Sequence, residues 1–160
     1  IDRPIRPLFP KDLRNDCSVV ATVMSVDLDC SPEITAMIGV SAAIAISDIP
    51  WAGPVSGVNV GLVDGKIVIN PNLEERAKTD LVLTVASTAD LVAMIEAGAN
   101  EISNEDMFDA IMLAHETNKE VVEFIRPRID SILNEVDDVK NKHEELLKIR
   151  RECLLNVKLE

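Results

Sequence analysis

The spacing of apolar residues changes period several times along the chain, and each change marks an element. Residues 18–26, Ser-Val-Val-Ala-Thr-Val-Met-Ser-Val, form a continuous run rich in β-branched residues and predict a buried strand. Asp27 to Cys30 reads as a turn. Ser31-Pro32-Glu33 then opens a helix, with a capping residue, a proline at the first helical position and an acid in the first turn. That helix is expected to reach about Ser47. It is small and apolar nearly all round (Ala36, Gly39, Ala42 and Ala43 beside Met37, Val40 and Ile44), which predicts close packing on a sheet.

Residues 55–63 alternate with period two, Asp64-Gly65 is a hairpin turn signal, and Lys66 to Asn70 returns as the partner strand. Residues 72–79 form a charged connection. Leu81 to Thr88 predicts another strand, with Leu91 to about Ala97 as its antiparallel neighbour. Ser103-Asn104-Glu105-Asp106 opens a second long helix in capping-box style, and Met107, Ile111, Ala114 and Val121 keep helical spacing to about Phe124. Pro127 predicts a kink or a stop. Beyond it Ile129, Ile132, Val136, Val139, His143, Leu146, Arg150 and Cys153 follow an imperfect a/d heptad. They predict a helix that packs on the body or on a partner chain, with His143 and Arg150 weakening the seam. The element order is that of an α+β fold: a mixed or antiparallel sheet with helices against it, residues 1–125, then a helical segment, residues 126–160.

The opening stretch carries Pro4, Pro7 and Pro10, with Arg3 and Arg6 between them. Proline fixes φ and removes a donor, so the segment reads as a stiff extended arm, neither helix nor central strand. No initiator Met precedes it, and the chain is expected to begin inside something longer.

Composition narrows the function. At 47 % hydrophobic the chain can build a core, but Trp51, Phe9, Phe108 and Phe124 are its only aromatics, so the core must be aliphatic. The exposed aromatics of a base-stacking RNA binder are missing. The net charge of −12 repels phosphate backbones on average. Its distribution is uneven: Arg3, Arg6, Lys11 and Arg14 outweigh Asp2 and Asp12 at the start, and no Lys or Arg occurs from Asn15 to Gly65. Any anion contact would therefore use the arm, or basic groups on another part of a larger molecule. Cys17, Cys30 and Cys153 show no C-x-x-C spacing, which argues against zinc and against a disulfide framework and points to buried reduced thiols in a cytoplasmic protein. No apolar run reaches the length of a membrane span.

The decapeptide at residues 1–10, Ile-Asp-Arg-Pro-Ile-Arg-Pro-Leu-Phe-Pro, resembles a signature of the first RNase PH-like domain of bacterial polynucleotide phosphorylases. The resemblance continues through Val20-Ala21-Thr22-Val23, Ala36-Met37-Ile38-Gly39, Ile49-Pro50-Trp51-Ala52-Gly53-Pro54, Asn70-Pro71, and Glu101-Ile102-Ser103 ahead of His115-Glu116, covering residues 1–125. It implies a phosphate-dependent 3′→5′ exoribonuclease that releases nucleoside diphosphates from RNA. Such enzymes carry two RNase PH-like domains joined by a helical linker, form a ring-shaped trimer and use magnesium. By this resemblance the chain is the later part of the first domain plus the start of the linker, with the front of that domain absent. From about Arg128 the sequence departs from the linker that the family implies, leaving a divergent linker or an unrelated extension.

The resemblance also places the chemistry elsewhere. The family's phosphate turn and magnesium-binding aspartates lie on the second domain, so no catalytic or metal-binding residue is expected in this chain. At the corresponding turn, Asp29-Cys30-Ser31-Pro32-Glu33 keeps one hydroxyl, loses an N–H to Pro32 and adds two carboxylates; an ordinary N-cap is the better reading. Asp80 stands at the strand position of a metal ligand, but Val82 occupies the place of a second aspartate, and one carboxylate makes a poor magnesium site. His115 reads as a packed helix residue. Arg3 and Arg6 are the candidate RNA-binding residues, with pairing to the domain's own carboxylates as the alternative. A free-standing assembly module of the same fold, associating through its tail, is the competing functional expectation.

Overall fold

The computed structural model describes residues 1–157, with side chains described as far as residue 149; Arg150 and Cys153 at the end of the predicted seam lie outside those side chains. Four strands form one antiparallel sheet: β1 (Ser56–Val63), β2 (Lys66–Ile69), β3 (Leu81–Ser87) and β4 (Val92–Ala99), in the spatial order β2-β1-β3-β4. The hairpin turn has positive φ at both central residues, 50° at Asp64 and 73° at Gly65, the conformation that matches the right-handed twist of the flanking strands. It sets the β1–β2 register at Val63↔Lys66 and Val60↔Ile69. β1 pairs with β3 from Ser56↔Ser87 to Gly61↔Val82, and β3 pairs with β4 from Leu81↔Ala99, with an irregularity at Ala86/Ser87.

Period-two alternation divides the sheet into two faces. Val58, Val60, Leu62, Leu81, Leu83 and Val85 point to one face, where α4 (Asn104–Val157) covers them with Ala110 and Ala114. The two alanines bring the helix axis close to the strands. Leu81 and Leu83 are fully buried there, each stabilising by about 1.5–3 kcal/mol. On the other face α2 (Pro32–Ala45) packs Met37 against Val55 and Ala86, over Gly57. Between β2 and β3, α3 (Leu73–Arg76) is a single turn closed by a capping box of Asn72 and Glu75.

Three expectations are corrected. Residues 18–26 form no strand: they make no ladder with the described strands and are exposed, Val20 at 85 % and Met24 at 90 %. β-Branching favours a strand only where a neighbouring edge takes its hydrogen bonds, and residues 18–26 pair with neither of the outer strands, β2 and β4. The segment instead lies over α2, leaving a groove of about 600 Å³ walled mainly by Val19, Val23, Val26, Ala36, Gly39 and Ala43. Cys17 and Cys30, at either end of this stretch, are exposed and not buried.

Pro127 neither ends nor divides α4, which runs unbroken from Asn104 to Val157. The proline removes one helix hydrogen bond. The next residue, Arg128, donates from Nη1 to the carbonyl oxygen of Phe124 at 3.0 Å, and its guanidinium lies 4.0 Å from the centre of the Phe124 ring. These contacts support the turn that the proline weakens. Beyond the buried Ile129 the helix leaves the body, so the tail does not pack back on its own domain.

Candidate nucleic-acid interface

The arm is helical, which corrects the expectation of an extended segment. Asp2–Ile5 is one α-turn, α1, and Arg6–Leu8 follows as a 3-10 turn. The first residues of any helix have no intrahelical acceptor for their N–H groups, so Pro4 and Pro7 forfeit nothing in elements this short. The one α-helical bond needed, from Arg6 N–H to Asp2 O, uses neither proline. Phe9 turns extended, with ψ of 147°, ahead of Pro10.

The arm is fixed to the body at several points. Ile5 is buried against Val40 and Ile44, with Phe9, Ile49 and Trp51 around them. Trp51 Nε1 donates to Ile5 O at 3.0 Å, and Ala52 N donates to Leu8 O at 3.0 Å. Trp51 thus satisfies its indole N–H while its ring tilts against Phe9 at a centroid distance of 6.4 Å.

This anchoring leaves the cations outward. Arg6 donates from Nε and Nη2 to the two carboxylate oxygens of Asp2, at 3.1 and 2.7 Å. Arg3 Nη1 meets Glu96 Oε2, on β4, at 3.4 Å. The arginine side chains stay 73 % and 77 % exposed, so both pairs are held in high dielectric and add little stability. Both structural partners of the alternative reading are therefore present, yet both guanidiniums remain open to an external anion. Arg6 also shares a cleft of about 550 Å³ with Pro7, Phe9, Pro10, Lys11 and Leu13. Lys11 is exposed and makes no ion pair among the described residues. Lys11 therefore joins Arg6 at one cleft, a grouping that the spacing of the two arginines alone did not single out.

The other candidates lie apart from this cleft. At the start of α2, Ser31 does not cap an amide; its hydroxyl donates to Glu33 Oε2 at 2.7 Å. That bond, then a backbone hydrogen bond and the charge of Arg76, hold the Glu33 carboxyl below the usual carboxylate range against a small desolvation effect. The helix N-terminus is thus faced by the chain's own carboxylate, which repels phosphate. Asp80 is exposed just before β3, its backbone bonded to Leu62 and Asn100, and Val82 is exposed two residues on. Among the described residues no group of three His, Cys, Asp or Glu could hold a metal ion together. His115 is half-buried on α4, its Nδ1 without a hydrogen-bond partner. Nearby, Asn118 is fully buried and donates from Nδ2 to Val85 O at 3.0 Å.

A family model described as the 3′ exoribonuclease family, domain 2, matches residues 53–117, which span the whole sheet and the start of α4. A polyribonucleotide nucleotidyltransferase of Ruminiclostridium cellulolyticum is 56 % identical over 144 residues, covering 90 % of this chain and 20 % of the relative. One of Clostridioides difficile is 53 % identical over 154 residues, 95 % of this chain and 22 % of the relative. Coverage that wide extends past Pro127 into the exposed half of α4. The solved structure of rice Rrp46 aligns with a TM-score of 0.57 at 17 % identity, over 66 % of this chain and 51 % of its own, a likeness of fold. The chain spans about a fifth of the length of the curated relatives it matches. By sequence across nearly its whole length and by its α+β fold, the chain belongs to the polyribonucleotide nucleotidyltransferase family.

Proposed function

We propose that the chain is a non-catalytic part of a phosphate-dependent 3′→5′ exoribonuclease, acting in cytoplasmic mRNA degradation, that helps to build a trimeric ring and guides RNA along the Arg3–Arg6 arm. The observation that carries this reading is identity above 50 % to polyribonucleotide nucleotidyltransferases over at least 90 % of the chain. Three features of the fold support a scaffold role. Glu33 and Pro32 stand where a phosphate turn would offer hydroxyls and amides. Asp80 has no second carboxylate two residues on. The residues present therefore do not make a magnesium site, and magnesium chemistry belongs to the second RNase PH-like domain. The exposed 18–26 segment suits a strand whose neighbours belong to a larger sheet.

On this reading Arg3, Arg6 and Lys11 hold single-stranded RNA by its phosphates, without reading its bases. Titration of labelled oligo(A) against the chain at low salt tests this. Binding that weakens as salt rises and is independent of base identity supports it. Lack of binding even at low salt contradicts it.

A further inference from the structure

We infer that Ser56, Ser87 and Asn118 hold one buried water molecule between the sheet and α4, and that this water helps to fix where the helix sits on the strands. Ser56 and Ser87 are directly opposed in the β1–β3 register and share the α4 face with Val58 and Val85. Asn118 reaches the same face from α4, donating from Nδ2 to Val85 O at 3.0 Å. All three side chains are fully buried. Ala114 and Val122, four residues to either side of Asn118, are fully buried as well, so the helix closes over the group. Further domains of a longer protein would add to this burial, not remove it.

Hydrogen bonding identifies the occupant. The Val85 carbonyl can accept only from the amide nitrogen of Asn118, which sets the orientation of that side chain and leaves Oδ1 over. Asn118 Oδ1, Ser56 Oγ and Ser87 Oγ have no hydrogen-bond partner among the described residues. Buried polar atoms in folded proteins are nearly all paired, with protein or with ordered water. Two hydroxyls and a carboxamide oxygen offer two donors and one acceptor. Water complements that set: it accepts from both serines and donates to Asn118 Oδ1, the number of bonds usual for a buried water. An ion does not suit the group, because three neutral side chains would not offset its desolvation. Elsewhere α4 meets the sheet through Ala110 and Ala114 against aliphatic strand residues, a contact without direction. The Asn118–Val85 bond and the water are directional, and they tie α4 to β3 and to β1 at one position along the helix.

A high-resolution crystal structure of the chain, beside urea melts of serine variants, tests the inference. The expected density is one water within hydrogen-bond distance of Ser56 Oγ, Ser87 Oγ and Asn118 Oδ1 together. Ser56→Ala and Ser87→Ala should each raise the unfolding constant about fivefold, since each takes a partner from the water. Ser56→Ala with Ser87→Ala should raise it by less than the product of the two, because both act through the same molecule. The three oxygens bonded directly to one another, with no density between them, would overturn the inference. Density with the short, multiple oxygen contacts of a metal ion would overturn it too. So would serine variants more stable than the parent, the result expected when alanine removes a hydroxyl that is buried without any partner.

Discussion

Replacing both arm arginines, Arg3→Ala with Arg6→Ala, separates an RNA-contacting role from a structural one by two independent readouts. Each guanidinium makes one exposed ion pair, with Glu96 and with Asp2, and such pairs contribute about 0–1 kcal/mol. The arm is held instead by Ile5, Trp51 and Ala52, which the variant leaves alone. The thermal midpoint should therefore fall by no more than about 8 °C for a chain of this size, even if both pairs contribute their full value. For RNA, each phosphate contact on a single strand adds about 0.7 to the slope of log K against log salt. Losing two contacts should flatten that slope by about 1.4. The size of the effect is bounded by the structure, because Asp2 and Glu96 already neutralise both arginines and an incoming phosphate must displace them. Fluorescence anisotropy of labelled oligo(A) over a salt series, beside a thermal melt, gives both numbers. An unchanged salt slope would refute the phosphate contacts. A large fall in the melting midpoint with no change in slope would show that the pairs hold the arm.

Three further outcomes follow from the packing. Thr79→Val should cost about 1–2 kcal/mol in chemical denaturation, because the Thr79 hydroxyl accepts from Leu62 N at 2.8 Å and valine leaves that amide unpartnered; Thr79→Ser should recover most of the loss. Gly61→Ala should destabilise by about 2 kcal/mol and Gly57→Ala by about 1 kcal/mol or less, although the second clash is closer. A Cβ at 61 meets the fixed Thr79 Oγ1 at 2.9 Å and the Pro71 ring at 3.3 Å, whereas at 57 it meets the flexible end of Met37 at 2.5 Å. Equal costs measured by urea melts would contradict this. The lowered Glu33 carboxyl stabilises the fold above its ordinary value of 4.5, and that contribution is lost as pH falls through the lower folded value. Glu33→Gln should therefore be slightly less stable than the parent near neutral pH and show a shallower loss in acid; parallel acid melts would exclude the effect.

The sheet and its register were legible because their signals are local. Alternation over residues 55–63, Asp-Gly at the turn and the paired runs 81–88 and 91–97 each specify their own neighbours. Residues 18–26 carried an equally strong pattern but form no strand, since a strand's stability belongs to its partner as much as to itself. The three prolines of the arm misled in the opposite direction: their penalty applies inside a helix, and α1 is all first turn. Of the kink or stop expected at Pro127, the stop does not occur, because one missing hydrogen bond is outweighed by the packing of the preceding turns and by Arg128 bonding Phe124 O. At the candidate site, the outward cations were readable from charge distribution. The Arg6–Lys11 cleft was not, since it depends on Trp51 reaching back across more than forty residues to hold the arm.

The most direct test of the scaffold reading is phosphorolysis. The chain is incubated with oligo(A), inorganic phosphate and magnesium, and ADP release is followed, with a full-length polyribonucleotide nucleotidyltransferase as the positive control. The account predicts that the full-length enzyme releases ADP while this chain, folded and at the same molar concentration, releases none above the protein-free background. Phosphate-dependent ADP release by the chain alone would contradict it.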